Sequence, residues 1–361
     1  MSVLRPTDEA ELADIVAGAN AAAASLEIVG GGSKRVVVAQ LGATHCVETG
    51  ALSGILSYEP SELVLTARAG TPLVEISTAL ALRGQMLAFD PPMLAGATIG
   101  GVIAANASGP RRLRQGAARD HFLGFRAVSG RGEAFKAGGK VVKNVTGFDL
   151  PKLLAGSWGT LAVLSEVTLK VLPRPASEVT VLIDGLDDAS AVALFARLLG
   201  GQHEIASATH QAGLTAVRIE GFPSSVAARR GELVSTLDAS RVLGAEESAA
   251  FWTALRDGEP LADDPRPLWR LMLPPACGPL PGIDGAARFD WGGALLWMRS
   301  DVPDAMIEAA ARAAGGYARR ALGSSIISAD PGLAALVERV RAGFDPNCTL
   351  NPRRSARELA A

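Results

Sequence analysis

Three consecutive glycines follow a short apolar segment near the start of the chain and lead into a hydroxyl and a lysine. The run reads Ile28-Val29-Gly30-Gly31-Gly32-Ser33-Lys34. Because glycine has no Cβ, such a run lets backbone N–H groups converge on an anion. Two interpretations are open for the run alone, a phosphate-binding loop or a plain turn after a strand. It matches neither the Rossmann fingerprint nor the P-loop.

A second region rich in glycine and proline favours the ligand interpretation. Its motifs are Phe89-Asp90-Pro91-Pro92, Ala97-Thr98-Ile99-Gly100-Gly101, Ser108-Gly109-Pro110-Arg111-Arg112 and Gly116-Ala117-Ala118-Arg119-Asp120. Few of these side chains can pack a core, so ordering them costs conformational entropy that close contact with a large ligand would offset. A third glycine-rich region, 138–164, ends in Gly156-Ser157-Trp158-Gly159-Thr160-Leu161. The alternative is an ordinary crossing of tight loops, which this recurrence makes less attractive.

Length and charge limit the classes of protein. The 361 residues, 48% of them apolar, are enough for two domains with separate cores. A formal net charge of −2 provides no basic surface, so we expect no nucleic-acid partner.

Cysteine usage and hydropathy limit the cofactors and the compartment. The three cysteines are far apart and form no Cys-x-x-Cys pair, which predicts reduced thiols and no metal or iron–sulfur cluster on this chain. No apolar run reaches the roughly 20 residues that span a bilayer. We expect a cytoplasmic protein without a transmembrane segment, with any contact to the inner membrane peripheral and made through partners.

Periodicity predicts short helices alternating with strands. The first helix is expected to begin with Thr7 or Asp8 as its N-cap. Strands are predicted at 26–29, 53–55, 63–67, 165–172, 179–183, 205–209, 216–220, 268–273 and 294–298. Helices are predicted at 73–83, 187–199, 225–237, 246–256, 303–314 and 332–341. The composition changes after Pro173, where a second, α+β domain is expected to begin.

Six motifs in order carry a family resemblance. They are Gly-Gly-Gly-Ser-Lys, Ala-Thr-Ile-Gly-Gly, Ser-Gly-Pro-Arg-Arg, Gly-x-x-Arg-Asp, Lys-Asn-Val-x-Gly-Phe-Asp-Leu and Gly-Ser-x-Gly-Thr-Leu. The set resembles the vanillyl-alcohol-oxidase-type, or PCMH-type, FAD-binding domain and, within it, the FAD-binding subunits of glycolate oxidases. The resemblance implies an α+β fold: an FAD-binding domain of two α/β subdomains over 1–175, a smaller α+β cap over 176–330, and a C-terminal helix and tail over 331–361 that return to the FAD-binding domain.

The same resemblance implies the residues that hold FAD. The predicted cofactor-binding residues are Gly30, Gly31, Gly32, Ser33, Lys34, Pro91, Pro92, Thr98, Gly100, Gly101, Ser108, Gly109, Gly116, Asp120, Gly159, Val163 and Asn351. The first five match a pyrophosphate loop, and Thr98, Gly100 and Gly101 match a segment that passes the flavin. Ser33 stands where relatives with covalent flavin commonly carry a histidine, which implies non-covalent FAD.

Catalytic groups are harder to assign. Oxidation of a 2-hydroxy acid needs a hydride acceptor, a base and a cation for the carboxylate. The four histidines, His45, His121, His203 and His210, are scattered, and the His-Gly-Asp-Gly-Asn-x-His motif of related catalytic subunits is absent. No catalytic residue is assigned. Four arginines are candidates for contact with an anion: Arg111, Arg112, Arg270 and Arg299. The favoured role of each is a salt bridge or a solvated surface position. This preference is weakest for Arg112, which is the one retained as a catalytic candidate.

The resemblance therefore implies an FAD-dependent oxidoreductase acting on the CH–OH group of 2-hydroxy acids. Its role would be that of the FAD-binding subunit of a glycolate oxidase (glycolate dehydrogenase) complex, with FAD accepting or relaying electrons as glycolate becomes glyoxylate. The implied partners are a catalytic flavoprotein subunit and an iron–sulfur subunit. The alternatives are a stand-alone FAD-dependent dehydrogenase for D-lactate or another 2-hydroxy acid, and a non-catalytic scaffold that FAD stabilises.

Overall fold

A computed structural model describes residues 1–34, 42–139, 148–321 and 331–352 of the chain. The chain forms two compact units, the first comprising 1–108, 116–173 and 323–361 and the second 109–115 and 174–322. The segment 109–115 thus belongs to the second unit, although the predicted boundaries place it in the FAD-binding domain. The division into an FAD-binding domain and a cap stays a prediction.

The first unit begins with a small parallel sheet and one helix. Strand β1 (Ser2–Leu4) and strand β2 (Leu26–Val29) both pair in parallel with β3 (His45–Glu48), so that β3 is central. Helix α1 (Glu9–Ala21) begins after Asp8, whose side chain accepts a hydrogen bond from the N–H of Glu11 at 2.8 Å. Of the two predicted N-caps, Asp8 is therefore the one used.

A five-stranded antiparallel sheet forms the rest of the framework of the first unit. In spatial order its strands are β4 (Ile55–Glu59), β5 (Val64–Arg68), β9 (Ala162–Lys170), β7 (Phe122–Ser129) and β8 (Ala134–Gly138). A two-stranded pair joins β6 (Gln85–Met86) and β10 (Leu172–Pro173). The β7–β8 hairpin was not among the predicted strands, although β7 lies beside β9 in the core.

Helices pack against the sheets of the first unit. They are α2 (Leu73–Ala81), α3 (Ile99–Ala105), α5 (Ala118–His121), α6 (Leu150–Leu154) and α11 (Pro331–Phe344). Buried side chains of α2 and α3, such as Ile76 and Val102, meet Leu65 and Val167 of the antiparallel sheet in one core. After α2, Gly84 adopts a positive φ of +62°, which agrees with its predicted role in ending the helix. Part of the motif over 143–150 lies outside the described residues.

The second unit is built on one eight-stranded sheet. Its strands, in spatial order, are β14 (Arg241–Leu243), β11 (Ser177–Asp184), β13 (Leu214–Gly221), β12 (Ile205–Gln211), β16 (Ala286–Asp290), β17 (Leu295–Arg299), β15 (Leu268–Met272) and β18 (Tyr317–Arg320). All pairs are antiparallel. The predicted strands of this region are present with shifted ends, whereas β14, β16 and β18 were not predicted.

Five α-helices complete the second unit in the part of it that the structure describes. They are α4 (Arg112–Gln115), α7 (Asp188–Leu199), α8 (Pro223–Thr236), α9 (Ala245–Asp257) and α10 (Asp304–Ala313). The four long ones agree with the predicted helices to within two residues at each end. Phe195, Val226 and Ile307 pack against one face of the sheet, while Trp252 of α9 packs elsewhere with Leu182 and Leu243. Both units therefore mix helices with sheets, which confirms the α+β class.

Candidate cofactor-binding site

A cleft of about 790 Å³, measured with its open mouth, lies in the first unit. Most of its lining comes from three segments far apart in sequence: the end of β2 with the glycine-rich loop, helix α3 with the residue before it, and the loop before β9 with the start of β9. The lining residues are Ile28, Val29, Gly30, Gly31, Gly32, Ser33, Lys34, Thr49, Ala69, Thr98, Gly100, Gly101, Ala104, Ser157, Trp158, Gly159, Ala162, Val163 and Leu164. Ten predicted cofactor-binding residues are thus brought together.

The glycines of the first loop are required by close packing. A Cβ on Gly31 would overlap the carbonyl oxygen of Gly96, and one on Gly30 would overlap Oγ1 of Thr98. Gly32 adopts a φ of +76°, a conformation that glycine tolerates at no steric cost. The loop therefore lies against segment 96–98 with no space for side chains on that side. This packing is independent of any ligand, so a large substitution at Gly31 tests the loop's fold before it tests phosphate binding.

Lys34 places a cation in the cleft. Burial lowers the pKa of Lys34 to about 8, because a desolvated ammonium group loses the hydration that stabilises its charge. A bound phosphate would favour the charged form again. The ammonium group of Lys34 therefore makes its part of the cleft suitable for an anionic group.

The remainder of the cleft is mostly apolar. Its lining includes Ala69, Ala104 and Val163, together with Trp158, which sequence reasoning did not single out. Trp158 has a φ of +56°, which is uncommon for a residue with a side chain. The sequence motif Gly-Ser-Trp-Gly-Thr contains Trp158, but only Gly159 of this motif is among the predicted cofactor-binding residues. A cation, a glycine-rich loop and a mostly apolar lining in one cleft fit a dinucleotide that has a pyrophosphate and aromatic rings.

Asn351, predicted to approach the flavin, connects two walls of the cleft. Its Oδ1 accepts a hydrogen bond from the N–H of Ile28 at 2.9 Å. Its Nδ2 donates to the carbonyl oxygens of Trp158 at 2.9 Å and Gly159 at 3.3 Å. The side chain is fully buried and is not among the lining residues. Its geometry is that of a positioning residue, and direct contact with the cofactor stays a prediction.

The segment that carries Asn351 is itself anchored by a buried ion pair at the end of α11. The carboxylate of Asp345 accepts hydrogen bonds from the N–H groups of Thr349 and Leu350, both at 2.9 Å. Arg341 donates to the carbonyl oxygen of Leu350 at 3.2 Å and lies 3.9 Å from Asp345. Burial raises the pKa of Asp345. Thr349 then accepts a bond from the N–H of Leu26, so the segment extends the edge of the parallel sheet at β2.

Other predicted residues lie outside the cleft. The Oγ of Ser108 accepts a hydrogen bond from the N–H of Ala118, and the carboxylate of Asp120 accepts one from the N–H of Ala117, so both stabilise the start of α5. Pro91, Pro92 and Gly116 do not line the cleft either. Gly109 belongs to the second unit, where its carbonyl accepts from Trp291 Nε1 at 3.0 Å. Contact of these residues with a cofactor stays a prediction.

The four candidate arginines all lie in the second unit, in different environments. Arg111 pairs with Glu220 at 2.8 Å and with Glu178 at 3.2 Å. Arg299 pairs with Glu259. For these two, the favoured salt-bridge role agrees with the contacts.

Arg112 and Arg270 instead lie over the ring of Trp291, with guanidinium carbons 4.3 Å and 5.4 Å from its centroid. These are cation–π distances. The retained role of Arg112 in catalysis stays a prediction.

The histidines form no catalytic group with one another. His210 is buried, with Nδ1 2.8 Å from Thr215 Oγ1 and Nε2 3.2 Å from Asp188. Burial lowers the pKa of His210. His45, the first residue of the central strand β3, lies with its Nδ1 2.6 Å from Ser2 Oγ. Within the described residues, no three His, Cys, Asp or Glu side chains are placed to hold a metal ion, and no helix is long and apolar enough to cross a membrane.

Comparison with known proteins identifies the class first. The family profile described as "FAD binding domain" matches residues 2–138, which contain the glycine-rich loop and the start of α3. The structure is similar to alkyldihydroxyacetonephosphate synthase, with a TM-score of 0.70 at 16% identity, over 97% of this chain and 75% of that one. The fold is thus that of an FAD-binding flavoprotein, and the predictions of this fold and of FAD as cofactor are confirmed.

The particular family follows from sequence similarity. The chain is 38% identical over 316 residues to glycolate oxidase subunit GlcE of Escherichia coli, which covers 85% of each chain. It is also 34% identical to glycolate oxidase subunit GlcD of Bacillus subtilis, but over 36% of this chain and only 28% of that protein. The chain belongs to the GlcE family of glycolate oxidase subunits.

Proposed function

We propose that this chain is the FAD-binding subunit of a glycolate oxidase (glycolate dehydrogenase) complex that converts glycolate to glyoxylate. The observation that carries the proposal is the glycine-lined cleft that contains Lys34, in a chain similar to GlcE along most of its length. FAD, when bound, supplies the acceptor for the two electrons of the hydroxy acid.

The residues of the chain bind and orient the cofactor. Lys34 would provide a positive charge for the pyrophosphate of FAD, and the N–H groups of the glycine-rich loop would provide hydrogen-bond donors to it. Ala69, Ala104 and Val163, which line the cleft, would shield an aromatic ring of the cofactor from water. Asn351 holds the two sides of the cleft at a fixed spacing through its hydrogen bonds to backbone groups.

Partner subunits complete the reaction. The sequence contains no histidine-rich motif that would supply a base, which favours substrate oxidation with a catalytic flavoprotein subunit. Its three separated cysteines provide no cluster ligands, so an iron–sulfur subunit would take the electrons onward. The complex would be cytoplasmic, and its contact with the inner membrane would be peripheral and made by partners.

Anaerobic absorption spectroscopy tests the proposal. The purified chain is expected to carry non-covalent flavin that stays oxidised when glycolate or D-lactate is added to the chain alone. The flavin is expected to bleach when the partner subunits are added with glycolate. A chain that purifies without flavin and does not take up added FAD would refute the proposal.

Two other outcomes identify the alternatives. Bleaching of the isolated chain by D-lactate or another 2-hydroxy acid would identify a stand-alone dehydrogenase. Flavin that no substrate reduces, even in the assembled complex, would identify a structural subunit in which FAD stabilises the fold. Denaturation in acid separates covalent from non-covalent flavin, because only a covalent flavin stays with the precipitated protein.

A further inference from the structure

The C-terminal segment, residues 345–352, extends the small parallel sheet beside β2. The carbonyl oxygen of Thr349 accepts a hydrogen bond from the N–H of Leu26 at 2.8 Å, and the N–H of Asn351 donates to the carbonyl oxygen of Leu26 at 2.9 Å. Leu350 thereby pairs with Leu26 in parallel. Two backbone bonds gain less than the ordering of a whole segment costs. Leu350 is fully buried, but burial is non-directional and does not select this register.

Asp345 supplies directional contacts that fix the register. It follows α11 directly, and its N–H donates to the carbonyl oxygen of Arg341 at 2.7 Å. The residue is fully buried, and one carboxylate oxygen accepts from the N–H of Thr349 while the other accepts from the N–H of Leu350, both at 2.9 Å. Hydrogen bonds to an ionised acceptor are roughly twice as strong as neutral ones. One carboxylate thus holds the two residues that precede Asn351.

The position of the Asp345 carboxylate is itself set from two other sides. Arg341 lies 3.9 Å from it and donates to the carbonyl oxygen of Leu350 at 3.2 Å. In the turn between β7 and β8, Gly130 donates its N–H to the carbonyl oxygen of Phe344 at 3.0 Å, and a Cβ on Gly130 would overlap the carboxylate. Helix α11, this turn and the C-terminal segment therefore meet at Asp345. The carboxylate has no space to shift towards the turn.

The register of the C-terminal segment decides where the Asn351 side chain lies. Asp345 itself does not line the cofactor cleft in the described part of the chain. Asn351 accepts from the N–H of Ile28 and donates to the carbonyl oxygen of Trp158, both at 2.9 Å. A slip of the segment by one residue would turn this side chain to the other face of the sheet, because successive side chains on a strand point to opposite faces. The register on β2 therefore fixes the bridge between the cleft walls.

We propose that Asp345 is a positioning residue for FAD, whose carboxylate sets the register of the C-terminal segment and thereby the place of the Asn351 amide between the two walls of the cleft. A free energy that couples two sites acts in both directions. FAD in the cleft therefore stabilises the docked C-terminal segment. The inference takes FAD as the cofactor and makes no use of glycolate as the substrate, so its failure would leave the proposed function untouched.

Titration of the flavin-free full chain with FAD tests the inference, with flavin fluorescence as the readout. Asp345→Asn keeps the size of the side chain but turns an NH₂ group towards one of the two N–H groups, so that one donor faces another. The dissociation constant of FAD is expected to rise roughly three- to tenfold. Asp8→Ala is the control, because it also removes a carboxylate that accepts from a backbone N–H in the same unit, and it is expected to bind FAD normally. Wild-type affinity in Asp345→Asn, or an equal loss in Asp8→Ala, would refute the proposal.

A double-mutant cycle separates positioning from a general loss of stability. If Asp345 acts through Asn351, the chain with both Asp345→Asn and Asn351→Ala is expected to bind FAD as Asn351→Ala alone does, because the second change removes the group through which the first acts. If the increases in dissociation constant multiply instead, the two residues act independently and the proposal is overturned.

Hydrogen–deuterium exchange tests the reciprocal effect on the wild-type chain, so it does not depend on the folding of any variant. Mass spectrometry of peptides covering 345–352 is the readout. Saturating FAD is expected to slow exchange of the N–H groups of Thr349 and Leu350 by at least about threefold. The slowing is expected to be lost in Asn351→Ala, where the bridge to the cleft walls is missing. Exchange that FAD leaves unchanged in the wild-type chain would refute the coupling.

Discussion

Asn351 offers a sharp test of how the cofactor cleft is held together. Its side chain makes three hydrogen bonds, and all three go to backbone groups of residues that line the cleft. Asn351→Ala removes them together and leaves one N–H and two carbonyl groups without that partner in a buried place. The change does not touch the glycine-rich loop, so any effect on FAD must pass through the spacing of the walls.

The magnitude follows from the number of bonds. Each neutral hydrogen bond contributes about 1 kcal/mol net, so the free energy of unfolding is expected to fall by about 3 kcal/mol. Part of the binding free energy of FAD is then used to restore the spacing of the cleft walls. If that takes about 1.4 kcal/mol, the dissociation constant of FAD rises about tenfold.

Two further variants make the test specific. Asn351→Asp keeps an acceptor for the N–H of Ile28 but places carboxylate oxygen against the carbonyls of Trp158 and Gly159. It is expected to weaken FAD binding at least as much as alanine, with partial recovery at acidic pH, where a protonated carboxyl can donate. Asn347→Ala is the control, since Asn347 lies in the same segment and bonds only to Asn20 at the surface in the described structure.

The assay is a fluorescence titration of the apo-protein with FAD, together with urea unfolding of the same samples. A stability loss in Asn351→Ala accompanied by wild-type affinity for FAD would refute the positioning role. An equal loss of affinity in Asn347→Ala would refute it as well, because the effect would then belong to the segment in general.

Three further perturbations test other parts of the molecule. The pKa of Lys34 near 8 means that this side chain is cationic below that pH and neutral above it. The dissociation constant of FAD should therefore rise by up to about tenfold per pH unit above 8. Lys34→Met should bind FAD weakly, with a dissociation constant that does not change over this pH range. Gly31→Ala should lose FAD in the same titration because its Cβ overlaps backbone, whereas Gly50→Ala, whose Cβ meets nothing within 4 Å, should bind normally. Arg111→Ala takes the Arg111 guanidinium away from two largely buried carboxylates, Glu178 and Glu220, of which Glu220 still contacts Arg218 at 3.3 Å. It should lower the free energy of unfolding by about 3 kcal/mol in urea, against less than about 1 kcal/mol for Arg114→Ala at an exposed pair. Equal losses would contradict the burial argument.

Local patterns in the sequence were sufficient for most elements. The cap at Asp8, the stop at Gly84 and the long helices of the second unit each depend on residues within a turn or two of one another. The motifs around the glycine-rich loop and Thr98 led to the family and to the residues that line the cleft. In each case, backbone preference and side-chain periodicity act over a short stretch, so the sequence alone expresses them.

Other features depend on contacts between distant parts of the chain. The β7–β8 hairpin has no strong alternation of its own, and β7 is defined by its place beside β9. The segment 109–115 joins the second unit through contacts such as the bond from Trp291 to Gly109.

The same holds for side chains whose roles depend on register. Asn351 is 323 residues from Ile28 in sequence, and Asp345 meets Gly130 only because the end of α11 lies against the turn between β7 and β8. Local sequence determined where helices and glycine loops form. The tertiary structure alone decided which buried polar groups meet, because a hydrogen bond or a charge contact depends on distance in space, and chain separation carries no information about that distance.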